Sequence, residues 1–390
     1  MKRKFSVIFI LMLSIVAFNL FFGIFNVKAQ AEEAISITSK SAILLDYDSG
    51  TVVFEKNADE RLPIASMTKV MTLILCFDNL NSANISLDQN VIISENAAGM
   101  GGSQVFIEKN GEYTVGTLMK SIVVASANDA CVAMAEHLYG SESAFVEKMN
   151  EKAQELDMQN TNFVNCTGLP QAGQYSSARD VSKMFCNLLN NDEYFRFSKI
   201  WTDVVTHPND RITEISNTNK LVRFYQGCDS GKTGYTSESG HCLVASAKRN
   251  DMRLVSVVIK APNSKVRFGE VSAMFNYGFA NYTNKVLYDK NSPLSINVKV
   301  KDGKKDTVEV VPEKSISIFS KREEKRNVEV NFEPISLIKA PIRKGDVVGK
   351  LKIFEKGVLI SSVNVLSNEN IDQKTYFDHI SDIGRNWNLI

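Results

Sequence analysis

Strand-forming sequence brackets the first 280 residues or so of this chain and helix-forming sequence fills the interval, an order that makes distant segments share one sheet. On the N-terminal side, Ser41 to Leu45 and Thr51 to Phe54 are apolar and strand-like. Asp46-Tyr47-Asp48-Ser49-Gly50 between them is rich in turn formers and predicts an antiparallel hairpin. On the far side, Leu243 to Ala247 and Arg253 to Ile259 read as strands joined by the turn Lys248-Arg249-Asn250-Asp251. Helical periodicity runs through Ile64 to Asp78, with Pro63 just before it, then Val115 to Tyr139, Ala144 to Leu156 and Ala178 to Leu189. A last helical patch, Val266 to Phe279, closes the unit. The expected fold class is therefore α+β, with an antiparallel sheet whose terminal segments meet and a helical cluster packed on it.

Beyond Tyr282 the texture changes. Short alternating runs at Leu294 to Val300, Thr307 to Val311, Val328 to Phe332 and Val347 to Phe354 are punctuated by Gly303, Pro312, Pro341, Gly345 and Gly357. This predicts a small all-β module, read as a sandwich. At 390 residues, two folded units are the natural expectation. The boundaries read as 32–283 for the α+β unit and 284–370 for the β module. In the remaining segment, 371–390, Tyr376, Ile380, Ile383, Trp387 and Ile390 fall at helical spacing. Two readings stay open there: an amphipathic helix lying on a membrane surface, or a terminal helix packed on its own domain.

A formal net charge of +1 gives no electrostatic case for nucleic acid. Met1-Lys2-Arg3-Lys4, an apolar run from Phe5 to Phe25 and the small residues of Ala29-Gln30-Ala31 predict an export signal over 1–31, the alternative being an uncleaved anchor. The bulk of the protein is then extracytoplasmic. Cys76, Cys131 and Cys186, three of the six cysteines, lie in apolar helical stretches and read as core thiols. No cysteine pair has close ligand spacing and the four histidines are scattered, so neither a metal nor a cofactor is expected.

Three short polar motifs carry the chemistry: Ser66-Met67-Thr68-Lys69, Ser126-Ala127-Asn128 and Lys232-Thr233-Gly234. The first pattern recurs at Ser336-Leu337-Ile338-Lys339, and the second at Ser82-Ala83-Asn84, Ser94-Glu95-Asn96 and Ser295-Ile296-Asn297, so only the ordered set in its setting has force. Ser66 stands at a helix start, and Lys69 three residues on shares its face. A buried lysine there can serve as base toward the hydroxyl, with helix N-terminal amides available to an oxyanion. Ser126-Ala127-Asn128 interrupts apolar helical sequence. Ser126, the second serine of the set, can pass a proton to a leaving amine, and the Asn128 amide can bind a peptide carbonyl. Lys232 adds positive charge, and Gly234 is expected to let a substrate backbone approach the sheet edge. Gly231-Lys232-Thr233 resembles the end of a phosphate-binding loop, but Gln226 stands where that loop needs glycine.

With these residues assembled, the chain resembles the penicillin-recognising serine D-alanyl-D-alanine carboxypeptidases, the low-molecular-weight penicillin-binding proteins. Asn128-Asp129-Ala130-Cys131-Val132-Ala133, Phe163-Val164-Asn165 with Gly168-Leu169-Pro170, Ser176-Ser177-Ala178-Arg179-Asp180 and Lys232-Thr233-Gly234-Tyr235-Thr236 extend the match. Ala340-Pro341-Ile342 and Lys344-Gly345 carry it into the β module. The resemblance implies a β-lactamase/transpeptidase-like catalytic domain and hydrolysis of the terminal D-Ala-D-Ala bond of a peptidoglycan stem peptide through an acyl-enzyme on Ser66, with β-lactams as covalent inhibitors. It also implies Lys69 as base, Ser126 as proton relay, Asn128 and Lys232 as substrate contacts, and backbone N–H groups of Ser66 and Tyr235 as the oxyanion hole. Thr233 and Arg267 would meet the terminal carboxylate. Two departures, Cys166-Thr167 in a loop and Ser239 where the family usually has alanine, are expected to stay clear of the chemistry. A β-lactamase, the nearest alternative in the same chemistry, needs fast deacylation, which one large class achieves through a Glu-x-x-Leu-Asn motif that is not found here. A transpeptidase and a catalytically inactive wall-binding module are the other readings.

Overall fold

The computed structural model describes residues 35–386 apart from 291, 325 and 336. The export signal expected over 1–31 lies outside the described residues, as does the end of the expected C-terminal helix. The turn-forming sequence after Leu45 folds as its composition demands. β1 (Ser41–Asp46) and β2 (Val52–Lys56) pair antiparallel, and the Asp46 carboxylate closes the turn by accepting the Ser49 N–H at 2.8 Å. Five longer helices follow: α1 (Lys69–Asn81), α2 (Val115–Ala125), α3 (Asn128–Tyr139), α4 (Glu142–Glu155) and α5 (Ala178–Leu188). A side hairpin of β3 (Thr202–Thr206) and β4 (Ile212–Ser216) precedes β5 (Cys228–Thr236), β6 (Gly240–Arg249) and β7 (Met252–Ala261), and α6 (Ser264–Asn281) ends the unit.

The five-stranded sheet has the order β2-β1-β7-β6-β5, all antiparallel, so the two ends of the unit do meet, at β1 and β7. Its faces are covered differently. Val255, Val257 and Ile259 of β7 join Val244 and Ile43 in the core beneath the helical cluster, with Phe77, Phe145 and Phe185. The alternate residues face α6: the Ser256 hydroxyl lies 3.8 Å from the Met274 sulfur, and a Cβ at Gly278 would fall 2.5 Å from Leu254. Burial on both faces explains why β7 reads as a nearly continuous apolar run rather than an alternating one. β5 lies at the sheet's edge, and that position governs the site.

Val115 to Tyr139, which the periodicity presents as one stretch, is two helices. α2 stops at Ser126, which takes a left-handed conformation (φ 62°), and Ala127 is extended before α3 begins. The Asn128 N–H that would continue the helix goes instead to the Ser103 carbonyl at 2.6 Å.

The second unit is all-β. β8 (Tyr282–Tyr288) continues directly from α6 and pairs with β10 (Ile316–Lys321). β9 (Val310–Pro312), β11 (Val328–Pro334), β12 (Val347–Glu355) and β13 (Val358–Ser367) form a second antiparallel sheet of order β9-β13-β12-β11. Its inward residues, among them Val310, Leu351, Ile353 and Val365, share a core with Leu294, Val298 and Val308. Of the strand expected over Leu294 to Val300, only Val298–Lys299 is paired. At the junction Tyr282 stacks on Phe319 with ring centroids 5.0 Å apart, and Arg322 donates to the Phe279 carbonyl at 2.9 Å. α7 (Tyr376–Asn386) follows, with Tyr376, Phe377 and Ile380 exposed.

Candidate active site

The chain enters α1 through a 3₁₀ turn, Ala65–Thr68, whose first residue is held at φ 47°, a costly value for alanine. Two glycines pack closely against this turn. A Cβ at Gly168 (φ 81°) would fall 2.0 Å from the Ala65 carbonyl oxygen, and one at Gly234 would fall 2.6 Å from the Ile64 oxygen and 3.2 Å from the Ser66 nitrogen. The space that the missing Gly234 side chain leaves is therefore filled by the protein's own Ser66 turn. This packing is a role for the glycine beyond the expected approach of a substrate backbone. Gly168→Ala is expected to lower folding stability by about 2 kcal/mol or more and to cut activity at least a hundredfold, because both the left-handed conformation and the backbone contact are lost. Thermal denaturation and peptide hydrolysis check it.

Lys69 is fully buried, and its ammonium is destabilised: desolvation pushes the pKa below its ordinary 10.5. Its Nζ lies 2.6 Å from Asn128 Oδ1, 2.6 Å from the Thr167 carbonyl and 3.0 Å from Ser66 Oγ. The two carbonyl-type oxygens can only accept, whereas a hydroxyl can also donate. When deprotonated, the amine has two hydrogens for the two carbonyls and one lone pair for the Ser66 hydroxyl. The Asn128 orientation is fixed independently, since its amide nitrogen donates to the Gly101 carbonyl at 2.7 Å.

Lys232, reaching in from β5, donates to Ser126 Oγ at 2.6 Å and to the Thr233 carbonyl at 3.1 Å. Burial, and then the neighbouring Lys69, hold its pKa well below the ordinary value. The left-handed conformation of Ser126 turns its hydroxyl toward Lys232 from the end of α2. Two hydrogen-bonded sets thus stand in the site, Ser66 and Asn128 on Lys69 and Ser126 on Lys232.

The Cys166-Thr167 departure does touch this network, through the Thr167 backbone carbonyl that accepts from Lys69. The peptide oxygen makes this contact whatever side chain the residue carries. The loop is fixed by Asn165 Oδ1, which accepts the Gly168 N–H at 2.7 Å, and by Glu142, which accepts the Cys166 N–H at 3.0 Å. Ser239 instead closes the β5–β6 turn, accepting the Thr236 N–H at 2.9 Å. Asp129, unassigned by the motif reading, is buried and accepts the N–H groups of Val105 and Ile107 at 3.1 and 3.2 Å. It thereby braces the loop that supplies Gly101 and Ser103 to Asn128. An acid inside Asn128-Asp129-Ala130 was the only signal in the sequence.

Thr233 lies on β5 one residue from Lys232, and Tyr235 is exposed beyond Gly234, stacked on His241 with centroids 4.4 Å apart. Arg267 comes from α6. It is buried, its pKa pushed down to about 10 by desolvation, and it donates to the carbonyls of Gly234 and Cys242, both at 3.2 Å. Its guanidinium retains a buried Nε with no partner among the described residues.

A serine bonded to a buried lysine, a second serine bonded to another lysine, and an open strand edge alongside them define a serine acyl-transfer enzyme. Residues 27–263 match the D-alanyl-D-alanine carboxypeptidase family, peptidase S11, and residues 282–373 match the C-terminal domain of penicillin-binding protein 5. The chain is 40% identical over 350 residues to D-alanyl-D-alanine carboxypeptidase DacF of Bacillus subtilis (strain 168), covering 90% of each. It is 32% identical over 372 residues to D-alanyl-D-alanine carboxypeptidase DacC of Escherichia coli (strain K12), covering 90% of this chain and 89% of that one. Among solved structures it is similar to penicillin-binding protein 5 from Haemophilus influenzae, with 31% identity, a TM-score of 0.68 and coverage of 87% and 98%. The chain belongs to the D-alanyl-D-alanine carboxypeptidase family of penicillin-binding proteins and is an enzyme of peptidoglycan metabolism.

Proposed function

We propose that Ser66 is the nucleophile of this carboxypeptidase and that Lys69 takes its proton as it attacks the carbonyl between the two terminal D-alanines of a stem pentapeptide. The observation that carries this reading is the three-way bonding of the Lys69 amine, whose only partner able to donate is the Ser66 hydroxyl. Ser126, held by Lys232, returns a proton to the departing amine, and C–N cleavage releases D-alanine. Water then hydrolyses the Ser66 ester and regenerates the hydroxyl. The backbone N–H groups of Ser66 and Tyr235 stabilise the tetrahedral oxyanion. Asn128 binds a substrate amide, while Thr233 and Arg267 hold the terminal carboxylate beside the positive charge of Lys232. β-Lactam antibiotics acylate the same serine.

The domain reading follows the same line, with a leader over 1–31, catalysis in 32–283 and an all-β module over 284–370. Export places the site outside the cytoplasmic membrane. α7 lays Tyr376, Phe377 and Ile380 on that membrane surface as a peripheral contact. No helix among the described residues is long and apolar enough to cross a membrane. Incubation with a stem pentapeptide followed by mass spectrometry tests the function: loss of one alanine with no peptide dimer is expected, and an unaltered pentapeptide would overturn it.

A further inference from the structure

β5 lies at the sheet's edge and runs from Cys228 to Thr236. An extended peptide that adds antiparallel to it, with its C-terminal carboxylate at Thr233 and its scissile carbonyl at Ser66, runs in the direction of decreasing β5 number. Its upstream residues then lie beside Thr236 and beyond, at about 3.3 Å per residue. A narrow groove opens at that place, between Pro63 and Pro170 on one side and Thr236 and Glu238 on the other.

The chemistry of this groove is one-sided. Gln174 is committed to the Val164 and Asn165 N–H groups at 3.1 and 3.0 Å, and Gln171 accepts from the Asn165 amide at 3.1 Å. Glu238 is the one ionisable residue of the lining. It is exposed and, among the described residues, has neither an ion-pair nor a hydrogen-bond partner. Lys260 packs near Gly240 close by and makes no ion pair with it.

Resting on the functional reading above, we infer that Glu238 is a specificity-determining residue that favours stem peptides carrying a free amine on the side chain just upstream of the D-Ala-D-Ala pair. Acylation of that amine removes its charge and with it the attraction to the carboxylate. The enzyme therefore prefers stems whose side-chain amine has not been joined to another peptide. The effect is a solvent-facing electrostatic one, so it is modest and weakens with salt.

The test uses the full protein and three peptides ending in D-Ala-D-Ala, preceded by lysine, Nε-acetyl-lysine or norleucine. For the wild-type enzyme kcat/KM is expected to be about fivefold higher for lysine than for the two neutral peptides at low salt, the upper range for an exposed pair. Glu238→Gln is expected to level the three while leaving the norleucine rate and the rate of penicillin acylation unchanged, and Glu238→Lys to invert the order. Equal kcat/KM for all three peptides in wild type, or a preference unaltered in Glu238→Gln, would overturn this inference alone. Release of alanine from none of the three would overturn the functional reading instead.

Discussion

Ser66→Ala is expected to take up no covalent penicillin label and to release D-alanine at least about 10⁴-fold more slowly than the wild type. The size of the loss follows from the absence of a substitute at hand. Ser126, the other hydroxyl of the network, is already the acceptor of a 2.6 Å bond from Lys232 at the end of α2. The fold should survive the change, because among the described residues the Ser66 hydroxyl is bonded only to Lys69, and the glycine contacts at its turn involve backbone. Labelling with a fluorescent penicillin, read beside a thermal denaturation curve, makes the comparison. A stable Ser66→Ala protein that still labels would remove Ser66 from the role of nucleophile.

Lys69→Met comes next in expected effect, with a loss of about 10²- to 10⁴-fold in kcat/KM, the range for removing a positioned base. Its distinguishing mark is the pH profile. A base must be deprotonated, so activity of the wild type rises with pH through the amine's own pKa, and burial has moved that pKa below 10.5. The ascending limb therefore lies below the ordinary lysine range, and Lys69→Met should lack it. Stability follows the same sign: the unfolded chain binds more protons than the folded one between the lowered pKa and 10.5, so stability rises with pH across that window and falls as pH is lowered through it. A wild-type limb at ordinary lysine pKa, or one retained in Lys69→Met, would remove Lys69 as the base.

Much of this site was legible because its side chains come in short local patterns. The spacing of three between Ser66 and Lys69 translates directly into a 3.0 Å contact on one helical face, and the polar break at Ser126 marks a real helix end. Less legible were contributions made by the backbone. The Thr167 carbonyl completes the surroundings of Lys69 without any side-chain signature. The packing of Gly234 against the Ser66 turn likewise has no side-chain signature. In the fold, the sequence reading omits β8, β10 and β13; β10 carries an apolar run that the reading passes over, whereas in β13 Ser361, Ser362 and Asn364 break the pattern and the first half is exposed. The side hairpin of β3 and β4 was missed for the same reason, being mostly solvent-facing.

The edge position of β5 bears on colloidal behaviour as well as on chemistry. A strand kept unpaired for a peptide to lie along is also a template for the strand of a second molecule, a hazard that natural sheets usually blunt with charge, proline or a covering loop. Here the segment of Gly168 to Gln171 stands across the groove from Thr236 and Glu238. The free end of a single extended peptide can slide between them, whereas a second folded sheet would have to bring its neighbouring strands and side chains along. The loop that packs against the Ser66 turn therefore also borders this end of the edge strand.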